Sequence, residues 1–212
     1  MTKVNIIDLI TKRTALETLL PLLGYVVVST CTPGPNNLMV LASGANFGVQ
    51  RTLPHILGIA FGFPVMIVAV GLGLGFVFDQ YPIVHVILKY VTFAYLLWLA
   101  WKIANAGRPD PEGGAIKPMT FLQAAAFQWV NPKGWAMFIG ALALFTTTSG
   151  NRPLQVALIA ALFGLACLPN GVAWALFGRS IAGYLQNDRV RFWFNLVMAA
   201  LLIVSVVPTL FE

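Results

Sequence analysis

The sequence predicts an all-α membrane protein with six transmembrane helices. Hydrophobic residues make up 58% of the 212 residues and charged residues only 9%, whereas a soluble domain carries about a quarter charged residues. Six apolar segments are each long enough for a bilayer core, which needs roughly 20 residues. The basic residues lie singly between these segments and form no patch typical of nucleic-acid binding, so the net charge of +6 does not indicate a nucleic-acid partner.

The six segments follow one another with short polar connections. In chain order they cover approximately 16–43, 54–78, 83–104, 120–147, 154–178 and 190–211. The first and fourth are interrupted by prolines and polar residues, and the second and fifth carry a Phe-Gly pair and then a proline. The third ends in Trp98 and Trp101, which are typical of a membrane–water interface. Glycines four residues apart predict close helix contacts. They are Gly44/Gly48, Gly58/Gly62 and Gly71/Gly75.

The chain reads as one domain, 1–212, built from two similar halves. The polar linker 105–119 separates a first repeat at about 14–104 from a second at about 120–212. Three spans per repeat make the two repeats inverted in the membrane. Interrupted helices at matching places in inverted repeats indicate a transporter's binding site. The other interpretation is a coincidence between spans that happen to contain proline.

The distribution of lysine and arginine predicts the orientation. One side of a six-span arrangement carries Lys3, Lys12, Arg13 and Arg152. The other side carries Arg51, Lys102, Arg108, Lys117, Arg179, Arg189 and Arg191. Because the more basic side faces the cytoplasm in most membrane proteins, we expect the linker 105–119 inside and both termini outside.

The sequence TPGPNN at 32–37 predicts a break in the first span. Pro33 and Pro35 have no N–H groups, so the carbonyls of Ser29 and Cys31 lose their helical donors. Gly34 between them permits a positive φ. Unpaired carbonyls cost several kcal/mol in hydrocarbon, so such a break is expected only where it is buried in protein or lines a wet cavity.

A new half-helix is expected to start at the end of this break. Pro35 suits its first position, and Asn36 and Asn37 then fall in its first turn. Free backbone N–H groups and the positive end of the helix dipole attract anions there. The alternative is that the prolines form only a packing kink.

The fourth span repeats this pattern at Asn131, Pro132 and Lys133. Asn131 suits the N-cap position and Pro132 the first position of a second half-helix. Lys133 then opposes the helix dipole, and it lies near mid-span, where a charge costs about 2.5–3.5 kcal/mol. Since no acidic residue lies deep in any span, we expect the substrate to supply the missing anion, or the lysine to be neutral for part of a transport cycle.

Two residues of the fifth span are further candidates. Asn170 lies near mid-span and serves either the binding site or a bridge between helices. Trp174, one turn later, serves either packing or a cation–π contact with an ammonium group.

Several motifs together resemble one family. TPGPNN followed by LMVLASGANFG, then GIAFG at 58–62, YLLWLAWKIA at 95–104 and FQWVNPKGW at 127–135, are similar to the LysE/RhtB family of bacterial amino-acid exporters. The likeness covers nearly the whole chain and is strongest to the branch of cysteine and O-acetylserine exporters. It implies multi-pass insertion in the bacterial inner membrane and efflux of amino acids or their derivatives, driven by an ion gradient, usually of protons. It also implies that the break residues belong to the family's motif. These are Pro33, Gly34, Pro35, Asn36, Asn37, Asn131, Pro132 and Lys133.

The expected protein is therefore a secondary active exporter, working by antiport, and not an enzyme. Its substrate is expected between the broken helices, with the carboxylate at the half-helix N-termini and Lys133. The amino group would meet freed carbonyls, asparagine oxygens and Trp174. We expect no cofactor, and the absence of a Walker motif argues against ATP drive by this chain alone. The other expected partners are membrane lipid and, since glycine-rich faces favour contact, a second copy in a homodimer.

Two other functions remain open from the sequence. A metal-ion exporter could use Cys31 and Cys167 as soft ligands beside the two breaks, although Lys133 would repel the ion. An intramembrane enzyme would need a buried acid–base group. His55 and His85, however, lie near span ends with no carboxylate deep in a span to partner them.

Overall fold

The computed structural model describes residues 6–74, 80, 82–105, 118–147 and 151–204, and every regular element in these ranges is helical. The helices are α1 (Ile6–Cys31), α2 (Pro35–Ala69), α3 (Pro82–Ala104), α4 (Phe121–Phe127), α5 (Pro132–Phe145), α6 (Arg152–Ile181) and α7 (Asp188–Val204). A π-helical turn, Val70–Leu74, extends α2, and 3₁₀ turns cover Gln128–Val130 and Tyr184–Gln186. Most of the predicted linker (106–117) and the ends of the second and sixth segments (75–78 and 205–211) lie outside the described residues.

Helix α2 contains a sharp turn at Gly48. This residue has φ 78° and ψ 169°, a left-handed conformation that glycine adopts without steric cost. The Thr52 hydroxyl donates to the Gly48 carbonyl at 2.8 Å and holds the turn. The stretch 44–53 between the first and second predicted segments is therefore helical except at this one residue. Gly48 serves this turn rather than helix packing, because nothing lies within 4 Å of the position where its Cβ would be.

Glycines bring α2 into its most extensive contact, which is with α6. A Cβ added at Gly44 would overlap the backbone of Ala175, and one added at Gly178 would overlap the backbone of Leu41. The second half of α2 packs on α4 in the same way, with Gly58 against the backbone of Phe121. The close contacts predicted from Gly44 and Gly58 are confirmed.

A buried apolar core fills the space between α1, α2, α5 and α6. Phe138, Phe163 and Ile56 are its largest fully buried side chains. The rings of Phe63 and Phe163 meet edge to face, with centroids 5.1 Å apart. Helices α3 and α7 pack on each other beside this core, where Leu96 and Leu202 are buried.

The outside of the bundle is apolar. Large hydrophobic side chains are exposed on several helices, among them Leu20, Phe61, Leu144 and Leu165. Two stretches of the described chain, Pro35–Gly73 and Arg152–Ile181, are long and apolar enough to cross a membrane. Shorter apolar helices cover Leu19–Cys31, Phe93–Ala104 and Pro132–Phe145. An apolar outer surface around a packed interior is the arrangement expected of helices in lipid.

Candidate functional site

Helix α1 ends at Cys31, and α2 starts at Pro35. The last turn of α1 is closed by Thr32, whose N–H donates to the Val28 carbonyl at 3.1 Å. The Thr32 hydroxyl donates to the Ser29 carbonyl at 2.8 Å. The Ser29 carbonyl, which Pro33 leaves without a helical donor, is thus satisfied by a side chain.

Asn37 ties the two sides of this break together. Its amide nitrogen donates to the carbonyls of Thr30 and Thr32, at 2.7 and 2.8 Å. Its amide oxygen accepts a hydrogen bond from Asn170 on α6 at 2.9 Å. The carbonyls of Thr30 and Thr32 therefore already have donors from the protein. The freed carbonyls that the sequence offered to a substrate amino group are those of Ser29 and Cys31, and of these the Ser29 carbonyl already accepts from Thr32.

The second break lies between the 3₁₀ turn that follows α4 and the start of α5. Asn131 stands at the N-cap position with an extended backbone, φ −91° and ψ 102°. Its side chain makes no capping hydrogen bond, which corrects the expectation of a side-chain cap. Asn131 is 3% exposed, and its amide oxygen has no hydrogen-bond partner. A buried acceptor left unpaired costs about 1–3 kcal/mol, so this oxygen is available for a ligand.

Lys133 crosses from the start of α5 to the end of α1. Its ammonium donates to the Thr32 carbonyl at 2.6 Å, to the Thr32 hydroxyl at 2.7 Å and to the Pro33 carbonyl at 3.3 Å. Three acceptors match the three N–H donors of an ammonium group. The negative end of the α1 dipole also favours a cation at this place. The lysine thus has protein partners, although none of them is an anion.

Gly34 makes room for this lysine. Its φ of 177° is extended backbone that any residue adopts, so the positive φ that glycine permits is not used here. A Cβ at Gly34 would lie 2.5 Å from Cδ of Lys133. A side chain at this position would therefore displace the lysine, whose chain passes directly over it.

A second pair of side chains links the two breaks. The amides of Asn36 and Gln128 exchange hydrogen bonds of 2.8 and 3.2 Å. Gln128 also donates to the Ala124 carbonyl at 2.8 Å and is fully buried. Asn36 is therefore held by the protein and turned toward the second break.

The two breaks enclose a cavity of about 40 Å³. The predicted site residues that line it are Gly34, Asn36, Asn37, Asn131, Lys133 and Asn170. Those that do not line it are Pro33, Pro35, Pro132 and Trp174. The prolines shape the chain beside the cavity, and Trp174 packs against the apolar core and lies edge to face with Phe177. The structure thus brings together the polar residues of the prediction, which come from both broken spans and from α6.

Other residues of the cavity wall were not predicted from the sequence as substrate-binding residues, and Cys167 was considered there only as a metal ligand. Thr30 and Cys167 add polar or polarisable atoms, and Val40, Ile59, Phe63 and Met137 add an apolar side. Cys167 lies three residues before Asn170, almost one helical turn away, and that spacing could have identified it.

The cavity carries an ammonium on one part of its wall and an unpaired amide oxygen on another. Such a wall is complementary to a small molecule that bears both a carboxylate and an ammonium group. Among the described residues no group of three His, Cys, Asp or Glu side chains could hold a metal ion. Cys167 is buried whereas Cys31 is exposed, so the two cysteines that a metal-ion exporter would need do not share an environment.

Comparison with known proteins identifies the family of this chain. Residues 27–208 match the family described as LysE type translocator. The chain is similar to the cysteine/O-acetylserine efflux protein of Salmonella typhimurium strain LT2, with 32% identity over 186 residues, 84% of this chain and 90% of that protein. It is similar to the protein of the same name from Escherichia coli strain K12, with 31% identity over 184 residues and the same shares of both chains. No solved structure matches the chain.

These matches agree with the resemblance seen in the sequence motifs. Proteins of this family are membrane transporters and not enzymes, and the relatives are named as efflux proteins. Because the family match extends over residues 27–208 of 212, this chain belongs to the LysE type translocator family.

Proposed function

We propose that this protein exports small amino acids, with cysteine and O-acetylserine as its first candidate substrates, and binds them in the cavity between the two helix breaks. The observation that carries the proposal is that two complementary groups line the same cavity. One is the Lys133 ammonium, and the other is the buried oxygen of Asn131, which has no hydrogen-bond partner. The names of the relatives support the choice of substrates.

In this proposal the substrate carboxylate replaces backbone carbonyls at Lys133. The ammonium binds neutral oxygens of Thr32 and Pro33 when the cavity is empty. The bonds from the ammonium to these oxygens carry a charge on the donor side only, whereas a carboxylate adds a full opposite charge and forms an ion pair with the lysine. The exchange therefore favours the substrate and loosens the tie between α1 and α5.

The substrate ammonium group is assigned to Asn131. Its amide oxygen is an acceptor without a partner, and filling it recovers the cost of its burial. Val40, Ile59 and Phe63 then face the substrate side chain. The cavity of about 40 Å³ holds roughly three waters, so in this proposal the breaks move apart when an amino acid binds.

The proposed architecture is six spans in two inverted repeats with interrupted helices. Two contacts across the breaks support it. Asn36 after the first break meets Gln128 before the second, and Lys133 after the second break meets Thr32 before the first, so the halves exchange roles. Phe63 in the second predicted span contacts Phe163 in the fifth, so the two spans that carry the matching Phe-Gly pairs lie side by side.

The proposed location is the bacterial inner membrane, with the chain crossing it several times. Antiport against protons is the proposed drive. A homodimer remains a prediction from the glycine faces alone. None of the described residues forms a metal-binding group, so the metal-ion alternative has no observation in its favour.

The orientation can be tested with a single introduced cysteine. A Gly113→Cys variant that lacks Cys31 and Cys167 is expected to resist an impermeant maleimide in intact cells and to react in inverted vesicles. The physical reason is the larger number of basic residues on the linker's side. Labelling in intact cells would reverse the proposed orientation, and a cysteine added at the N-terminus serves as the control for the opposite side.

Substrate binding can be tested at Cys167, a natural reporter in the cavity wall. In a Cys31→Ser variant, saturating O-acetyl-L-serine is expected to slow the reaction of Cys167 with methyl methanethiosulfonate about tenfold. The bound amino acid fills the space through which the reagent approaches. Mass spectrometry of the purified protein measures the rate.

The matched control places the thiol on the outside of the same helix. Leu165 is 66% exposed on α6, so a Leu165→Cys variant without the native cysteines should react at one rate with or without substrate. Equal slowing at both positions, or none at Cys167, would contradict binding in this cavity.

A further inference from the structure

A second cavity, of about 90 Å³, lies between α2, α3 and the residues that precede α4. The polar residues on its wall are Ser43, Asn46, His55 and Lys102. The cavity between the two helix breaks is called the central cavity below. Met39 lines the second cavity and Val40 lines the central cavity, so the first half of α2 separates them. The second cavity lies beside Lys102 and Pro118, close to the two ends of the linker 105–119.

His55 is the unusual group in this cavity. The side chain is 1% exposed, and neither ring nitrogen has a hydrogen-bond partner within the described structure. A neutral imidazole has one donor and one acceptor, and leaving both buried and unpaired is costly. The sequence placed His55 near the end of a span without a role. The structure places it in a cavity wall with both hydrogen-bonding functions unused.

The neighbouring polar groups do not satisfy His55, because they bond elsewhere. The Ser43 hydroxyl lies 2.9 Å from that of Thr52, which donates to the Gly48 carbonyl. The Asn46 amide nitrogen donates to the Ala42 carbonyl at 2.7 Å. These bonds lie within α2 and keep its turn in place.

Lys102 gives the cavity a positive charge. Its ammonium lies 4.9 Å from the centre of the Trp98 ring, a cation–π contact. None of the described residues on the cavity wall is acidic. The wall is thus suited to a molecule with two groups. Its anionic group would accept hydrogen bonds from His55 and Lys102, and its donor group would give a hydrogen bond to the second imidazole nitrogen.

We infer that this second cavity is an additional binding site for a free amino acid, on the linker side of the central cavity. The carboxylate meets Lys102 and the N–H of His55, and the ammonium group donates to the other imidazole nitrogen. Met39 and Leu99 face the side chain. The identity of the ligand rests on the proposed function, because an exporter must collect amino acids before they reach its central site.

The test is equilibrium dialysis of radiolabelled O-acetyl-L-serine against the purified full-length protein in phosphatidylcholine nanodiscs. The wild type is expected to bind in two phases. His55→Leu should remove one phase, and Lys102→Gln should weaken that phase about tenfold, since a hydrogen bond to a charged group is lost. His55→Gln keeps a donor and an acceptor and should retain the phase in part, which separates loss of recognition from loss of folding.

Two controls make the assignment specific. Arg51→Gln removes an exposed basic residue near the same turn of α2 and should leave both phases unchanged. Protection of Cys167 reports binding in the central cavity. The substrate concentration that gives half of this protection should be the same in His55→Leu as in the wild type. Loss of Cys167 protection with a surviving His55-dependent phase would contradict the proposed central site and support this one.

Three results would overturn the inference. The first is binding in a single phase by the wild type, or in two phases that His55→Leu leaves intact. The inference fails in the same way if His55→Leu keeps both phases and loses only proton-driven export. The second concerns the His55→Leu variant. If the substrate concentration that half-protects Cys167 shifts there by the same factor as the dissociation constant from dialysis, both measurements report one site. The third is displacement of the second phase by phosphatidylglycerol, which would assign the cavity to a lipid headgroup.

Discussion

Replacing Lys133 with alanine is expected to lower the affinity for O-acetyl-L-serine roughly ten- to hundredfold, because a hydrogen bond to a charged group contributes about 1.5–3 kcal/mol. The variant removes the cation that lies on the wall of the central cavity. Lys133→Arg keeps the charge but changes the shape and hydration of the group, so it should recover only part of the affinity. Binding to the purified protein is the measurement.

Lys133 also ties α1 to α5 through Thr32 and Pro33, so a loss of binding needs a structural control. Thr32→Val removes the hydroxyl contact of 2.7 Å but leaves the ammonium in place. If Lys133 recognises the carboxylate, Thr32→Val should bind substrate nearly as the wild type does. If the lysine only braces the break, both variants should lose affinity and thermal stability together.

A substrate analogue separates recognition of the carboxylate from general damage. 2-Aminoethyl acetate is O-acetylserine without its carboxylate, and it should bind the wild type weakly and Lys133→Ala about equally weakly. A lysine that carries the proton predicts another pattern, in which binding and exchange survive in Lys133→Ala while gradient-driven accumulation is lost. Retention of binding, exchange and driven export would mean that the substrate does not meet Lys133.

The positions of both helix breaks could be predicted from the sequence for a local reason. Proline removes a backbone donor and fixes φ, so Pro35 and Pro132 mark helix starts whatever surrounds them. The structure has helices that begin at these two residues. The apolar segments were equally local, because their length and composition do not depend on tertiary contacts.

The partners across the breaks could not be predicted, because they are separated by about a hundred residues. Asn36 finds Gln128 only when the two broken spans lie side by side, and Lys133 finds the end of α1 in the same way. The sequence showed a lysine without an anion and therefore predicted a substrate anion. It could not show that two neutral carbonyls and a hydroxyl, placed at a helix C-terminus, already accept the three N–H groups.

Gly34 and Trp174 show the same limit from opposite directions. Glycine between two prolines indicates backbone freedom, yet the actual requirement at Gly34 is space for a side chain from another helix. Trp174 has helical spacing from Asn170, but its ring packs among core residues instead of lining the cavity. Side-chain crowding decides both cases, and crowding depends on which helices are neighbours.

Replacing Pro33 and Pro35 together with alanine is expected to abolish export while the protein stays folded. Alanine restores two backbone donors and is about 3 kcal/mol more favourable than proline inside a helix, so α1 and α2 should join into one helix. Asn37 would then turn away from the carbonyls of Thr30 and Thr32, and Lys133 would lose its acceptors. Thermal stability should be unchanged or higher, whereas export from cells should fall to background.

The matched control is Pro21→Ala, which removes an exposed proline from the interior of α1 without touching the break. It should export normally, because the carbonyls around Lys133 keep their places. Dialysis of O-acetyl-L-serine against the double variant should show loss of the central phase, and Cys167 should lose its protection. Normal export by the double variant would mean that the break is only a kink. The cavity wall would then have to form without the first break. Binding by Lys133 and Asn131 in a cavity between the two breaks would no longer explain transport.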